Sequence, residues 1–237
     1  MTSEEYRVAM TNRDPFHGLP IHEPISAELF AAAQPDPTFY RIAKRTIDIV
    51  LAALILLLIF PFMVLIAIAI WIEDRGPVFY TSTRIGRFGQ PFRFYKLRSM
   101  HIDADSRLQT LIHKSDADGV AFKMWVDPRA TRVGRFIRKY SLDEVPQLFN
   151  VLCGTMSLVG PRPQLPKEVE HYTAEQQQRL FVKPGAFCLR EISGRSHLSF
   201  EDWLRLDLEY VQTRNLWLDL TIIVRVVPAI IFAHGAC

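Results

Sequence analysis

The chain has 237 residues, 49% of them hydrophobic and 22% charged, with a net charge of +3. That length holds one modest core with appendages, and so mild a charge argues against wholesale nucleic-acid binding while allowing local basic patches that meet phosphate or anionic lipid. Cys153, Cys188 and Cys237 are odd in number and lack metal-ligand spacing, so they read as reduced thiols of a cytoplasmic setting with no catalytic or metal role.

Residues 1–39 contain Asp14-Pro15, Leu19-Pro20, Glu23-Pro24 and Asp36-Pro37 with little periodicity, which is the composition of an arm, disordered or ordered only on contact. In residues 49–72, a run of 24, every residue is apolar except Pro61. As a helix the run covers roughly 36 Å, enough for a hydrocarbon core of about 30 Å. The 48 preceding residues, Glu4 and Glu5 among them, exclude a cleavable signal peptide. Pro61 removes a backbone hydrogen bond near the midpoint, and each half is too short to span alone. Arg41, Lys44 and Arg45 on one flank balance Arg75, Arg84 and Arg87 on the other, so flanking charge does not orient the segment. A spanning helix and a helix-break-helix hairpin that returns to the same leaflet both satisfy these residues.

Residues 78–81 and 92–96 are rich in β-formers and separated by Gly86 and Gly89, a hairpin pattern whose exit carries Lys96 and Arg98. Asp127-Pro128 predicts a helix start, with Val133, Phe136, Ile137 and Tyr140 on one face and Arg129, Arg132, Arg135 and Arg138 on another. A basic face is ordinarily solvated. Arg138 differs by position, since it lies five residues before Asp143, where a guanidinium can hold phosphate oxygens bidentately.

Ser141-Leu142-Asp143-Glu144-Val145-Pro146 admits two readings. One is a capping box, with Glu144 satisfying donors at a helix start. The other starts the helix nearer Asp143, because a start at Ser141 puts Pro146 at the fifth helical residue, where its missing N–H costs a bond. Both carboxylates then stand at a helix terminus, where free backbone donors attract phosphate. One such carboxylate can attack phosphorus while its neighbour holds a divalent cation.

Asp103-Ala104-Asp105 is a DxD triplet of the kind that holds a metal and a sugar diphosphate, but no alternating strand-helix pattern surrounds it. No histidine pair has HExxH spacing, and His171 and His197 read as surface or capping residues. The sequence holds no GxGxxG, no phosphate loop and no Ser-His-Asp spacing. Residues 199–202 open a helix whose Phe200, Trp203, Leu204, Leu208 and Val211 share a core-facing side. Residues 216–232 are apolar but interrupted by Asp219, Arg225 and Pro228, the pattern of an interfacial amphipathic helix.

Lys44-Arg45, the stretch from Phe94 to Met100, the acidic pair, Gly160-Pro161-Arg162-Pro163, Lys183-Pro184-Gly185 and Ser193-Gly194-Arg195 together resemble the bacterial sugar transferases of the monotopic phosphoglycosyl transferase type, from about Tyr40 onward. The resemblance implies an α+β, mostly helical fold: a re-entrant membrane helix hairpin over residues 40–75, then a small cytoplasmic catalytic domain over 76–237 with a short β-hairpin and amphipathic interfacial helices. It also implies the minimal form of the family and its exopolysaccharide-initiating branch. The implied reaction moves sugar 1-phosphate from a UDP-sugar, a galactose or glucose donor, to polyprenyl (undecaprenyl) phosphate at the inner membrane, releases UMP and uses Mg²⁺. Asp143 would be the nucleophile and Glu144 the metal ligand. Lys96, Arg98, Arg138, Pro161 and Arg162 would bind substrate, while Lys44, Arg45 and Pro61 would set topology and meet the lipid headgroup. Homo-oligomerisation stays open, and no nucleic acid is expected. Residues 186–192, Ala-Phe-Cys-Leu-Arg-Glu-Ile, depart from the family pattern and put the acceptor or sugar pocket in question. Two alternatives remain: a direct glycosyltransferase that uses Asp103 and Asp105 and releases UDP, and a non-catalytic membrane-bound scaffold.

Overall fold

A computed structural model describes residues 36–104, 106–107, 127–193 and 200–231. The arm up to residue 35, Asp105, and residues 194–199 with His197 lie outside the described residues. Helix α1, Thr38–Asp74, runs 37 residues in one piece with Pro61 inside it. It ends on Arg75 in a left-handed conformation, whose N–H donates to the Trp71 carbonyl. It is long enough to cross a membrane, and its most apolar 18-residue stretch, with a mean hydropathy of 3.3, is apolar enough. Leu57, Leu58, Phe60, Phe62 and Leu65 are exposed along its middle, a contiguous apolar surface that water would penalise and lipid would not.

Strands β1, Phe79–Ile85, and β2, Pro91–Leu97, pair antiparallel; β1 starts one residue later and runs four residues further than its β-rich core suggests, and β2 is one residue longer at each end. Helix α2, Arg132–Lys139, begins five residues later than Asp127-Pro128 predicts. Thr131 caps it by accepting from Gly134 N, while Asp127 is spent on a buried ion pair with Arg129 at 2.7 Å. A 3₁₀ turn at Leu142–Glu144 leads to α3, Gln147–Cys153. Then come β3, Ser157–Val159, the short helices α4, Pro166–Val169, and α5, Ala174–Gln177, and β4, Gly185–Phe187. Strands β3 and β4 pair in parallel, a small second sheet that the sequence pattern does not announce. Helices α6, Phe200–Thr213, and α7, Leu216–Ile231, complete the body.

The main core gathers Ala52 of α1, Phe92 and Phe94 of β2, Leu148 and Val151 of α3, Leu158 of β3 and Ile222 of α7. A second cluster joins Ile70 of α1 to Leu97 and Ile137. Helix α1 therefore contributes to both clusters, one near each of its ends. On α6 the buried side carries Leu204, Leu206, Asp207, Tyr210 and Val211, so the predicted apolar face has an acid in it, matched by Arg179. On α7, Ile222 and Val226 face the core while Trp217, Leu220 and Val224 are exposed. That helix is apolar on two sides, and Asp219, read from sequence as an interruption, is buried.

Candidate active site

Strand alternation puts Phe92, Phe94 and Lys96 on one face of β2. The two rings enter the core and the Lys96 ammonium rests 5.7 Å from the Phe94 ring centre. Asn150 of α3 fixes this strand against its own helix, donating to Arg93 O at 2.6 Å and accepting from Tyr95 N at 3.3 Å. The turn just upstream of α3 is thereby held in register with Lys96.

That turn carries Asp143 and Glu144. Ser141 enters it with φ of 55° and its side chain makes no capping bond; Glu144 turns instead to Lys96 at 2.6 Å and to Arg162 at 2.8 Å. The capping-box reading is therefore not what folds. Pro146 is the N-cap of α3, so the proline lies outside the hydrogen-bonded helix, and the acids sit one turn upstream of the terminus rather than within it.

Asp143 is buried, 7% exposed, with Lys96 at 3.5 Å as its ion-pair partner. Burial pushes its carboxyl above the usual range, against the pull of Lys96. Glu144 goes the other way: burial would raise it, but Arg162 and Lys96 outweigh that and hold it well below the usual range. Two neighbouring acids in one turn are thus split, the first the more basic and the second firmly ionised. Such a split is how one site assigns two roles to one residue type.

Arg162 is delivered by the paired strands. Gly160 N donates to Phe187 O at 3.0 Å and Gly185 N donates to Pro161 O at 2.9 Å. A Cβ on Gly185 would stand 2.1 Å from Gly160 N, so this close approach requires glycine. The Gly160-Pro161-Arg162-Pro163 and Lys183-Pro184-Gly185 motifs are two sides of one joint. Pro161 gives that joint its carbonyl, and Arg162 gives Glu144 its guanidinium. Arg179, buried between Tyr172 and Asp207, donates to Arg162 O at 3.2 Å and braces the same segment. Arg84 of β1 donates to Pro163 O at 3.2 Å and stacks over Phe94 at 5.3 Å. Local sequence reading missed Arg84, Asn150 and Arg179 because their partners lie far away along the chain.

The remaining predicted residues divide. Arg138 points towards Asp127 at 3.9 Å and lies close enough to Asp143 to favour its ionised form. Arg98 is not brought to the pair: it is buried beside Asp74 at 3.6 Å and ties the end of α1 to the exit of β2. Lys44 donates to Val159 O, Tyr210 and Asp219 at 2.8–3.0 Å. Arg45 donates to the Val151 and Leu152 carbonyls at 2.6 and 2.7 Å, capping the carbonyl end of α3. Both side chains therefore bind the body itself. Asp103 is exposed and paired with Arg107 at 2.7 Å, away from the acidic turn. Cys188 is buried, which pushes its thiol up to about 12, as an inert cysteine requires. Residues 186–192 pack Ala186, Phe187, Leu189 and Ile192 against the main core.

The chemistry of the pair suits Mg²⁺. That ion takes oxygen donors, one or two carboxylates completed by phosphate oxygens and water, and the Lys96 ammonium already bridges both acids as a cation would. Among the described residues no cluster of three or more His, Cys, Asp or Glu forms an all-protein cage, so substrate oxygens would have to complete the shell.

An acid pair divided in basicity and clamped by cations thus sits on a body joined to a long, lipid-compatible helix. A sequence profile of the bacterial sugar transferases matches residues 39–233, and the chain belongs to that family. The undecaprenyl-phosphate galactose phosphotransferase of Salmonella typhimurium is 41% identical over 206 residues, covering 83% of this chain and 42% of that protein. The UDP-glucose:undecaprenyl-phosphate glucose-1-phosphate transferase of Caulobacter vibrioides is 39% identical over 201 residues, covering 81% and 71%. The exopolysaccharide production protein ExoY of Rhizobium meliloti is 38% identical over 201 residues, covering 82% and 88%. The chain spans less than half the length of the Salmonella relative.

Proposed function

We propose that this protein is a phosphoglycosyl transferase that moves a hexose 1-phosphate from a UDP-hexose to a polyprenyl phosphate and releases UMP. The observation that carries the reading is the Asp143–Glu144 turn, with a raised carboxyl next to a depressed one and Lys96 between them. The Asp143 carboxylate attacks the phosphorus that bears the sugar; a carboxyl–phosphorus bond forms, the bond to UMP breaks, and UMP leaves with the electron pair. An oxygen of the lipid phosphate then attacks the same phosphorus and Asp143 departs as carboxylate. Arg162 and Arg138 stabilise the phosphate charge. Glu144 would hold Mg²⁺, which when bound neutralises phosphate oxygens. The relatives named for galactose and glucose transfer favour a hexose donor.

The same reading places α1 as a re-entrant element bent at Pro61, with the body on the cytoplasmic face of the inner membrane. Its support is that both ends of α1 bind one body. Lys44, Arg45 and Asp48 hold α3, β3 and α7, while Glu73 accepts from Arg132 N and Val133 N at 2.7 and 3.0 Å. A spanning segment would put those anchors on opposite sides of a core about 30 Å thick. Confinement to the surface brings the acidic turn to the depth of a lipid phosphate and replaces a search in solution with positioning. The test is intact-mass analysis of the full chain mixed with UDP-galactose or UDP-glucose without lipid acceptor, alongside identification of the released nucleotide. A hexose-phosphate adduct with UMP is expected. UDP release without an adduct would indicate direct glycosyl transfer, and no turnover with any UDP-sugar would leave a scaffold.

A further inference from the structure

A cavity of about 210 Å³ opens where α1 enters the body, and none of its lining residues belongs to the acidic turn. Its basic side chains are Arg41, Lys44, Arg45, Arg87, Lys183 and Arg214. Two carboxylates line it, and both are spent: Asp36 on Arg214 at 2.7 Å, Asp48 on Ser157 Oγ and Leu158 N at 3.1 and 2.9 Å. Lys44 and Arg45 are committed to the body, as described above. What remains is the side chains of Arg41 and Lys183, with no hydrogen bond or ion pair from any described residue, and Arg87, held through Nε to Phe181 O at 2.9 Å and by stacking on Phe88. Burial, then the neighbouring Arg45 and Arg87, hold the Lys183 amine below its usual range. A half-buried ammonium facing guanidinium groups, with the Asp48 carboxylate opposing them but not lifting the amine back to its usual range, is costly unless a further anion joins it.

The surroundings indicate which anion. Phe39 and Ile42, flanking Arg41 on α1, are 77% and 62% exposed, and Trp217 on α7 is 79% exposed. The exposed apolar surface of α1 continues from there through Ile49, Val50 and Leu54. A tryptophan and basic residues at the edge of an apolar band mark headgroup depth. We propose that this cavity is a second binding site, separate from the acidic pair, for the phosphate group of an anionic bilayer lipid, with Arg41, Arg87 and Lys183 as its donors. The site rests on the membrane placement of α1 given above. A lipid phosphate there cements the junction between α1, the β1–β2 turn and the segment leading into β4, and makes attachment depend on lipid charge.

Native mass spectrometry of the detergent-solubilised full chain, titrated with dioctanoyl phosphatidylglycerol, dioctanoyl phosphatidylcholine or inorganic phosphate, tests this. One phosphatidylglycerol should bind saturably, about tenfold tighter than phosphatidylcholine. Arg41→Gln/Lys183→Gln should weaken it at least about tenfold, the size of one charge-assisted hydrogen bond. Inorganic phosphate that binds as tightly as the lipid and is lost in the same variant would keep the site and assign it to free phosphate. Equal binding of both lipids, or a variant indistinguishable from wild type, overturns the inference. Covalent capture of hexose phosphate should stay within about twofold in the variant, since neither residue touches the acidic turn. Absence of capture in both proteins would sink the reaction and leave the lipid count standing.

Discussion

Lys96→Met is the perturbation that best separates the two roles a cation plays at the acidic turn. Unit charges at the 3.5 Å separation of Lys96 and Asp143 interact by about 5 kcal/mol at an effective dielectric of about 20. The lysine side chain is 20% exposed, and solvent screening leaves about 1.5–3 kcal/mol, or one to two pH units. The sign follows from Asp143. It attacks as the carboxylate, burial raises its pKa and Lys96 opposes that rise. Removing Lys96 raises it further, so the ionised fraction at neutral pH falls and the acid limb of the pH–rate profile moves to higher pH by about one to two units. Activity should recover towards alkaline pH, while Glu144 stays ionised through Arg162. Single-turnover rates of adduct formation against pH measure the limb. A limb at the wild-type pH, with the whole profile merely lowered, would mean that Lys96 binds substrate phosphate and does not tune Asp143.

Arg138→Ala should lower turnover far more than Arg132→Ala, by about tenfold or more for a lost charge-assisted bond; equal losses with unchanged circular dichroism would remove Arg138 from the site. Gly134→Ala should destabilise the fold by about 1–3 kcal/mol, because its Cβ would meet the Ser99 carbonyl oxygen at 1.9 Å; an unchanged melting temperature would refute that contact. Pro61→Leu should shift α1 towards spanning by restoring the missing helical bond. Thiols introduced as Ser26→Cys and Ser106→Cys should both resist an impermeant reagent in intact cells with Pro61 present. Labelling of Ser26→Cys alone in that background would show that the segment spans.

Local pattern made some of this legible. The apolar run, the hairpin and the helix after Asp127 follow from periodicity, and the structure brings Lys96 and Arg162, both singled out in the sequence, to Glu144. What stayed hidden is what the chain brings together over distance. Asp219 looks like an awkward acid in an apolar helix until Tyr40, Lys44 and Tyr210 are seen to bond it. Lys44 and Arg45 look like headgroup ligands, yet their partners are carbonyls and a carboxylate more than 100 residues away. Arg98 follows Lys96 at the same strand parity, but β2 ends at Leu97 and the chain turns Arg98 to the foot of α1. Asp207, the partner of Arg179, sits on α6, a helix whose apolar spacing alone predicts an uncharged face.

The most direct test of the account is the mass of the protein after incubation with UDP-galactose or UDP-glucose and Mg²⁺, without lipid acceptor. Wild type should gain one hexose phosphate, lose it when polyprenyl phosphate is added, and release UMP in equal amount. Asp143→Asn, whose amide has no charged oxygen to attack with, should gain nothing and fall by orders of magnitude in turnover. An adduct of the same mass on Asp143→Asn, or near-normal turnover by that variant, would contradict the assignment of Asp143 as the nucleophile.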